Sequence, residues 1–481
     1  MLLESTPYFY SAKVTVECDT PLSIKGDESD FTFDTTLVRD VNGYPTIPGT
    51  SIAGVLRSVA KQCGADEATL FGYADNKDVS PSQIQTSFGF VHTADNQPLL
   101  GLSKKAIESD NKVDLLLKNL TPILRDQVAL NEYGAAVDGA KLDRTAVPKG
   151  ARFSFELNWA SGQQDDDQWR KILGWLAHPN FRIGGLTQRG FGKLKIIQIN
   201  QAFYDMHKPE DLQAWQHNRQ YDFNAQNGQI VEQTIAQADD FINFELDLKA
   251  EDFWRIGQGS KAIRKDSEDF KEPDLIPYTE TIITWNGNQA TERDQQVVIP
   301  AAGVKGALRH RTLFHFRKLN NDFSDGSKLP KEAIYQNIAL KNLFGDIQLA
   351  DKNDKAKAGN LIMDDIYLDK TPATQIMMHN KIDRFTGGTI DGALFSEQLL
   401  YGGGFKLSGQ IQTQKGDKLI EQSKELLTAF KYALQDLAEG RLALGGGSTK
   451  GHGYFNAQAI DLAQLDQAID KAQSQKQEAS A

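Results

Sequence analysis

Thiols are almost absent from this chain: Cys18 and Cys63 are the only cysteines in 481 residues. Two cannot build an all-thiolate zinc site, and a chain this long has no need of a disulfide staple, so two reduced thiols in a cytoplasmic protein are expected. No apolar run reaches the roughly eighteen residues that a membrane-spanning helix requires. The opening stretch MLLESTPYFYSAKVTVE lacks a basic segment followed by an apolar one, so a secretory leader is not expected. Positive charge is not in excess either. Lys and Arg number 53 against 64 Asp and Glu, and the formal net charge of −11 is the opposite of a general polyanion binder's. Nucleic acid, if bound, must sit in a local groove. The glycine-rich stretches contain neither GxGxxG nor an in-register GK[ST], which excludes Rossmann and P-loop nucleotide sites.

What the chain does contain is a globular composition, 40% hydrophobic and 24% charged, over a length that calls for at least two cores. It also contains a repeat. IPGTSIAGVLR at 47–57 and IPAAGVKGALR at 299–309 share Ile, Pro, Gly, Leu and Arg. Leu-Phe-Gly follows each, at 70–72 and 343–345, and then a loop carrying Asp138–Gly139 or Asp391–Gly392. Strands opening at Phe153 and Phe405 come next, and last a glycine loop, GGLTQRGFG at 184–192 or GGGSTKGHG at 445–453. Landmarks in one order at nearly one spacing, 47 to 184 and 299 to 445, indicate duplication.

Local patterns give each copy the same elements. AKVTVEC and FINFELDLK alternate as first strands. After Ile47-Pro48-Gly49, Thr50 or Ser51 can cap a helix with Ile52, Val55, Leu56 and Val59 on one face and Gly64 at its end. The helix from Val304 is less regular, because Arg311 falls on the apolar stripe. FSFELNW and FKLSGQI alternate as later strands. They precede helices with Trp169, Ile172, Leu173 and Leu176 in one copy, and Leu427, Phe430, Leu434 and Leu437 in the other. GKLKIIQI and GYFNAQAI close the copies as final strands. The expected fold class is α+β: two tandem ferredoxin-like (RRM-like) domains with insertions, at 1–202 and 241–462. A polar connector is expected at 203–240, and a polar tail at 463–481 that is a frayed helix or disordered.

The glycine loops carry the strongest chemical signal. Glycines let backbone approach a phosphate and offer N–H donors, while Thr187 with Arg189, or Ser448 with Lys450, add a hydroxyl and a cation. A glycine-rich turn for tight packing is the plainer reading of either loop alone; recurrence of hydroxyl and base in both favours RNA contact. Helix N-termini after Ile-Pro are a second route to phosphate, with Arg57 and Arg309 one turn in. His310, His315 and His452 have no partner that sequence can place, and are expected to serve surface or packing.

The pattern IPG-x-S-x-x-G-x-L-R, then LFG, then a late glycine loop, resembles the RAMP superfamily, and specifically the backbone subunits of type III CRISPR complexes. HNKIDRFTGGTIDGALFSEQLLYGGGFKL is similar to the family's lead into its thumb hairpin, and two copies on one chain resemble the fused backbone subunits of type III-D systems. The resemblance covers roughly 10–200 and 241–461. It implies stacking along a guide RNA, thumbs that unstack the guide–target duplex, and partners comprising CRISPR guide RNA, single-stranded target RNA and other type III effector subunits. It further implies cleavage of target RNA by its own 2′-hydroxyl, aided by a divalent cation such as Mg²⁺.

FDTTLVRDVNGYPTIPG matches the family's segment x-D-x-x-V-x-R-D before Ile-Pro-Gly, which makes Asp34 the candidate catalytic and metal-holding residue; a turn acid is the competing reading. In the second copy Glu280 is the nearest candidate, with Asp274 and Asp266 as looser options. RNA contacts are expected at Ser51, Arg57, Gly185, Arg189, Gly190, Gly192, Lys305, Arg309, Lys381, Arg384, Gly447, Lys450 and Gly451. The family's lysine after the helix cap is kept as Lys305 but is Ala53 in the first copy. A non-catalytic RNA-binding scaffold and a guide-processing endonuclease are the competing functions.

Overall fold

The computed structural model describes residues 5–26, 36–75, 79–130, 136–218, 229–230, 240–257, 259, 261–263, 271–322, 338–345, 358–413 and 423–478. Alternating apolar residues make Tyr8–Cys18 a strand with Val14, Val16 and Cys18 fully buried, and Phe241–Ala250 a strand with Leu246 and Leu248 likewise. Around each of these a sheet assembles in the same order. In the first half it runs Leu194–Asp205, Tyr8–Cys18, Arg152–Ser161, Ile84–Thr86; in the second, Phe455–Asp461, Phe241–Ala250, Gly404–Gln412, Leu361–Met363. All these neighbours pair antiparallel. Even the irregularity repeats: the register against the last strand shifts between Thr15 and Val16 in one half and between Asp247 and Leu248 in the other. The architecture is mixed α+β built on antiparallel sheets.

Helices Gly49–Gln62 and Asp166–Gly174 bury Ile52, Leu56, Val59, Trp169, Ile172 and Leu173 in the first core. Helices Ala301–Leu319 and Lys424–Ala438 do the same in the second core with Val304, Leu308, Leu427, Phe430, Leu434 and Leu437. The cluster Asp165–Asp167 begins a helix, with Asp165 accepting from the Gln168 N–H at 2.9 Å, so this part of the negative charge stabilises a helix N-terminus. Arg311, anomalous on its stripe, turns out to face a buried acid. It pairs with Asp436, which also takes His315 Nε2 at 2.7 Å and Arg441 Nε at 2.8 Å, so two helices are joined by charge where apolar packing was expected.

Two expectations need correction, and two polar stretches carry structure of their own. Neither Thr50 nor Ser51 caps the first helix: it starts at Gly49 with Pro48 as the N-cap and no side-chain cap bond, as the fixed φ of proline permits. Asp138 and Gly139 lie inside strand Ala136–Ala146, because the ladder with Ile123–Leu130 runs past them. The stretch read as connector includes the end of Leu194–Asp205 and a helix, Pro209–Asn218, whose Trp215 ring meets Phe9 at 5.6 Å. Of the two states expected for the tail it takes the helical one, Ala463–Glu478, which buries Leu465 and Ala472 and pairs Asp466 with Lys431 at 2.5 Å. Its few apolar residues share one side, which overall composition conceals.

The two halves interlock. A hairpin of the second half, Thr279–Asn286 with Gln289–Ile299, places Ile283 and Ala290 in the hydrophobic core of the first. The Ile283 N–H donates to Lys149 O at 2.9 Å, the Ala290 N–H to Ala94 O at 2.8 Å, and the Trp285 indole to Gly150 O at 2.7 Å. Gly150 sits at φ +87°, and a Cβ there would collide with Ile283 O; the strand passes only because the side chain is missing. In return, the first half's hairpin, Ile123–Leu130 with Ala136–Ala146, sends Arg125 into the second half.

This exchange predicts a non-local effect. Ile283→Ala lies in the second half, yet it removes buried volume from the first core, at a cost of about 2–4 kcal/mol. Calorimetry is expected to show the first half's melting lowered together with, or ahead of, the second's. A loss confined to the second half would contradict the shared core.

Candidate nucleic-acid interface

The two glycine loops are the same backbone structure. The Gly185 N–H donates to Ser23 O and the Gly446 N–H to Arg255 O, both at 2.9 Å. The Gly192 and Gly453 N–H groups donate to Pro21 O at 2.8 Å and Phe253 O at 3.0 Å, and those of Arg189 and Lys450 to Leu186 O and Gly447 O, both at 2.8 Å. Gly184 and Gly445 have φ of +90° and +87°, and a Cβ on either would strike the carbonyl of Ser23 or Arg255. Glycine is therefore required for the loop to fold onto the segment after the first strand. These amides, expected as phosphate donors, are already taken by carbonyls. The loop groups with the chemistry to meet an anion are then the side chains, Arg189 and Thr187 or Lys450 and Ser448.

The loops differ in what faces them. In the first, Gly190 is buried against the second half: it bridges to Asp364, and a Cβ would collide with Asp365 Oδ1. Arg182 Nη1 donates to Asp364 Oδ1 at 2.5 Å, and Lys193 Nζ reaches its Oδ2 at 3.1 Å. Lys305 enters from the second half's helix and donates to Gln188 O at 3.1 Å and Leu361 O at 2.5 Å. Burial, with Arg189 and Arg309 nearby, pushes the Lys305 ammonium down to about 7. Arg189 is half-buried and lowered by burial, and Arg309 is buried with Nη1 3.4 Å from Gly345 O. Arg189, Lys305 and Arg309 thus form one cationic seam between the halves.

The second loop is open. Ser448, Lys450 and Gly451 are exposed, and no atom lies within 4 Å of the place a Cβ on Gly451 would take. Lys450 lies over the Phe395 ring at 4.7 Å and 3.8 Å from Glu397 Oε2, which is buried beside Arg255 Nε and His379 Nε2. His452 packs under this loop with a pKa lowered by burial, and His315 belongs to the Asp436 cluster, so both do packing work. His310 is half-buried on its helix. Beyond Lys450, the hairpin Ala373–His379 with Phe395–Tyr401 carries Lys381, Arg384 and an almost fully exposed Phe385 at its tip. Ser51 is half-buried in the first helix turn, and Arg57 pairs with Glu67 at 2.5 Å. These two stand apart from the seam as first-half helix residues.

Asp34 and Asp266 lie outside the described residues. Glu280 is inside them and buried. Its Oε1 accepts from Arg125 Nε at 2.6 Å and the Tyr278 hydroxyl at 2.7 Å, and its Oε2 from the Tyr367 hydroxyl at 2.5 Å. Arg125 also donates to Asp365 Oδ2 at 2.6 Å, and Asp365 Oδ1 accepts from the Ala301 N–H at 2.8 Å, capping the helix after Ile299-Pro300. Sequence reasoning missed Arg125, Asp364 and Asp365. The available signal was Asp364-Asp365 directly after the apolar triplet Leu361-Ile362-Met363, an acid pair where a buried strand ends. Among the described residues no group of three or more His, Cys, Asp or Glu side chains is placed to hold a metal ion. No described helix is long and apolar enough to cross a membrane.

The profile of the RAMP superfamily matches residues 15–195 and 247–456, one stretch in each half. Proteins of that family are CRISPR-associated and bind CRISPR RNA within multi-subunit complexes. No curated protein matches the chain.

Burial, opposed by Arg125 and helped by Glu280, pushes the Asp365 carboxyl up to about 6. A carboxyl raised from its unfolded value of about 3.9 binds a proton on folding. Its stabilising contribution is complete below the unfolded value and is lost as pH rises through about 6. Urea melts at pH 7, 6, 5 and 4 are therefore expected to show a gain toward low pH in the wild type that Asp365→Asn flattens. Parallel curves for the two proteins would mean that Asp365 is ionised throughout this range.

Proposed function

This chain belongs to the RAMP superfamily, and we propose that it is a tandem backbone subunit of a type III CRISPR effector, resembling the fused subunits of type III-D systems. Each half is read as a ferredoxin-like domain, with bounds near 1–202 and 241–462, working in the prokaryotic cytoplasm. The subunit holds guide RNA and single-stranded target RNA beside other effector subunits and cuts the target. One observation carries this reading: two glycine loops, alike hydrogen bond by hydrogen bond, each present a base at the same place, Arg189 and Lys450.

The open half supplies the groove. Lys450, Lys381 and Arg384 are exposed on one glycine loop and the neighbouring hairpin, and take phosphates. Phe385 stands at the hairpin tip as a wedge between bases, since an aromatic face stacks on any base. A local groove of this kind reconciles RNA binding with a net charge of −11. In the first half Arg189, with Lys305 and Arg309 across the seam, extends the cationic track.

Cleavage is proposed at Asp34, where the 2′-hydroxyl of the target attacks the adjacent phosphate. A divalent cation, commonly Mg²⁺, would neutralise that phosphate. What the chain's own residues contribute is positioning: cations fix phosphates on either side of the scissile bond, and the carboxylate acts at the bond itself.

Two measurements test the reading. Binding is expected to weaken as salt rises, and reversing Lys381, Arg384 and Lys450 to Glu should reduce the log–log slope by about 0.7 per lost phosphate contact. An unchanged slope would place the groove elsewhere. Asp34→Ala is expected to remove one band from a ladder of labelled target fragments, slowing that cut about a hundredfold or more, with gel-shift affinity intact. Persistence of every band at the wild-type rate would make the first half a scaffold.

A further inference from the structure

Corresponding backbone hydrogen bonds set the second half's return strand against the first's. After each first strand the chain returns along itself. The Val38 N–H donates to Ile24 O at 3.0 Å, and the Tyr278 N–H to Ile256 O at 3.1 Å. The Gly26 N–H donates to Thr36 O at 3.0 Å, and the Gly259 N–H, one residue further along its strand, to Ile276 O at 3.1 Å, so the offset falls on the outgoing side and the return strands keep one register. Val38 O and Tyr278 O then accept from Thr46 and Val298, both at 3.2 Å. Thr36 therefore corresponds to Ile276, and Val38 to Tyr278. Two residues before Thr36 stands Asp34; two before Ile276 stands Asp274. Two residues after Val38 and Tyr278 stand Asp40 and Glu280.

That register separates two kinds of acid. Asp40 holds its own turn, with Oδ1 accepting from the Asn42 N–H at 2.9 Å and the Tyr44 N–H at 2.8 Å, and Glu280 is enclosed by Arg125, Tyr278 and Tyr367. Both support structure. Asp274 is exposed at the foot of the second hairpin and is anchored through Oδ2 alone, which accepts from the Ser396 N–H at 2.7 Å and its hydroxyl at 2.8 Å. Those bonds hold its carboxyl below the ordinary range, so it is ionised at neutral pH. The adjoining Leu275 bridges to Glu397, the residue 3.8 Å from Lys450 of the open glycine loop. Backbone pairing thus sets Asp274 at the base of the exposed hairpin, near the cation proposed to hold RNA.

We infer that Asp274, and not Glu280, is the second half's counterpart of Asp34 and the carboxylate at which that half cuts RNA. This rests on the reading of the chain as an RNA-cutting subunit. In the step, a ribose 2′-oxygen forms a bond to the adjacent phosphorus and the bond from phosphorus to the 5′-oxygen breaks. One fragment ends in a 2′,3′-cyclic phosphate and the other begins with a 5′-hydroxyl. The 2′ proton passes to the Asp274 carboxylate and the departing oxygen takes one from water. No oxidant or reductant is involved.

The test uses the full-length chain purified in its effector assembly, with end-labelled RNA complementary to the bound guide. Asp274→Asn is expected to abolish one cut, about a hundredfold or more in rate, at a position different from the cut lost in Asp34→Ala, with gel-shift affinity unchanged. Ser396→Ala, which removes the side-chain anchor but keeps the carboxylate, is expected to retain that cut at reduced rate, and Glu280→Gln to retain both cuts. If Asp274→Asn keeps every band while Asp34→Ala loses its own, Asp274 is not catalytic and the broader reading stands. If the wild-type assembly makes no cut, both fall. Loss of affinity in Asp274→Asn but not in Ser396→Ala would make Asp274 a binding residue and overturn the inference.

Discussion

One guanidinium bridges two carboxylates at the centre of this protein, and the two sides of that arrangement come from different halves. Arg125 extends from the first half's hairpin, and Glu280 and Asp365 belong to the second, all of them buried. The carboxylates are tolerated in such a place through the guanidinium, because removing it leaves both uncompensated where water cannot reach, a penalty of about 3–5 kcal/mol. Asp365 carries a further duty as the cap of helix Ala301–Leu319, and it lies against Gly190 of the first glycine loop. The hairpin, the helix and the loop are thereby tied to one point. Moving the hairpin would break a buried ion pair, and moving the helix would lose its cap.

That tie gives the duplicated loops different work. Identical backbones begin with the same potential, but the first loop lies against Asp364 and Asp365 and receives Lys305, while the second projects its Lys450 outward. The change is concentrated in a few side chains. Arg144 and Glu397 occupy corresponding places in the two hairpins, and the guanidinium beside the second loop is supplied instead by Arg255, where the first half has Ser23. Duplication thus yields one surface that joins the halves and one left open to a ligand.

The sequence makes the repeated elements legible because each depends on local pattern. Alternation in AKVTVEC and FINFELDLK marks strands that the structure contains, and the apolar stripe of Ile52, Leu56 and Val59 lies in the core as its spacing requires. Recurrence of Ile-Pro, Leu-Phe-Gly and the glycine loop reflects identical backbone geometry. The interlock is not legible in the same way. Ile283 reads as an ordinary strand residue of its own half, and nothing local reveals that its partners lie well over a hundred residues upstream. Arg125, Glu280 and Asp365 are distant in sequence and individually unremarkable. For the same reason Glu280 stood out as a candidate on proximity alone, although pairing in three dimensions gives its role to the fold. Charge patterning misleads at Arg311, too, since the acid that makes its burial acceptable, Asp436, comes from another helix.

The reciprocal hairpins also order the chain's assembly in time. Synthesis runs from the N-terminus, and domains ordinarily fold as they emerge. Here the first half's core contains Ile283 and Ala290, so that core stays unfinished until the ribosome has released the second half's opening hairpin. Until then, the surface that Trp285 and Ile283 will cover is exposed to whatever else is nearby. A nascent first half is a partner waiting for the rest of its own chain. Keeping both copies on one polypeptide supplies that missing piece at high local concentration and in fixed stoichiometry.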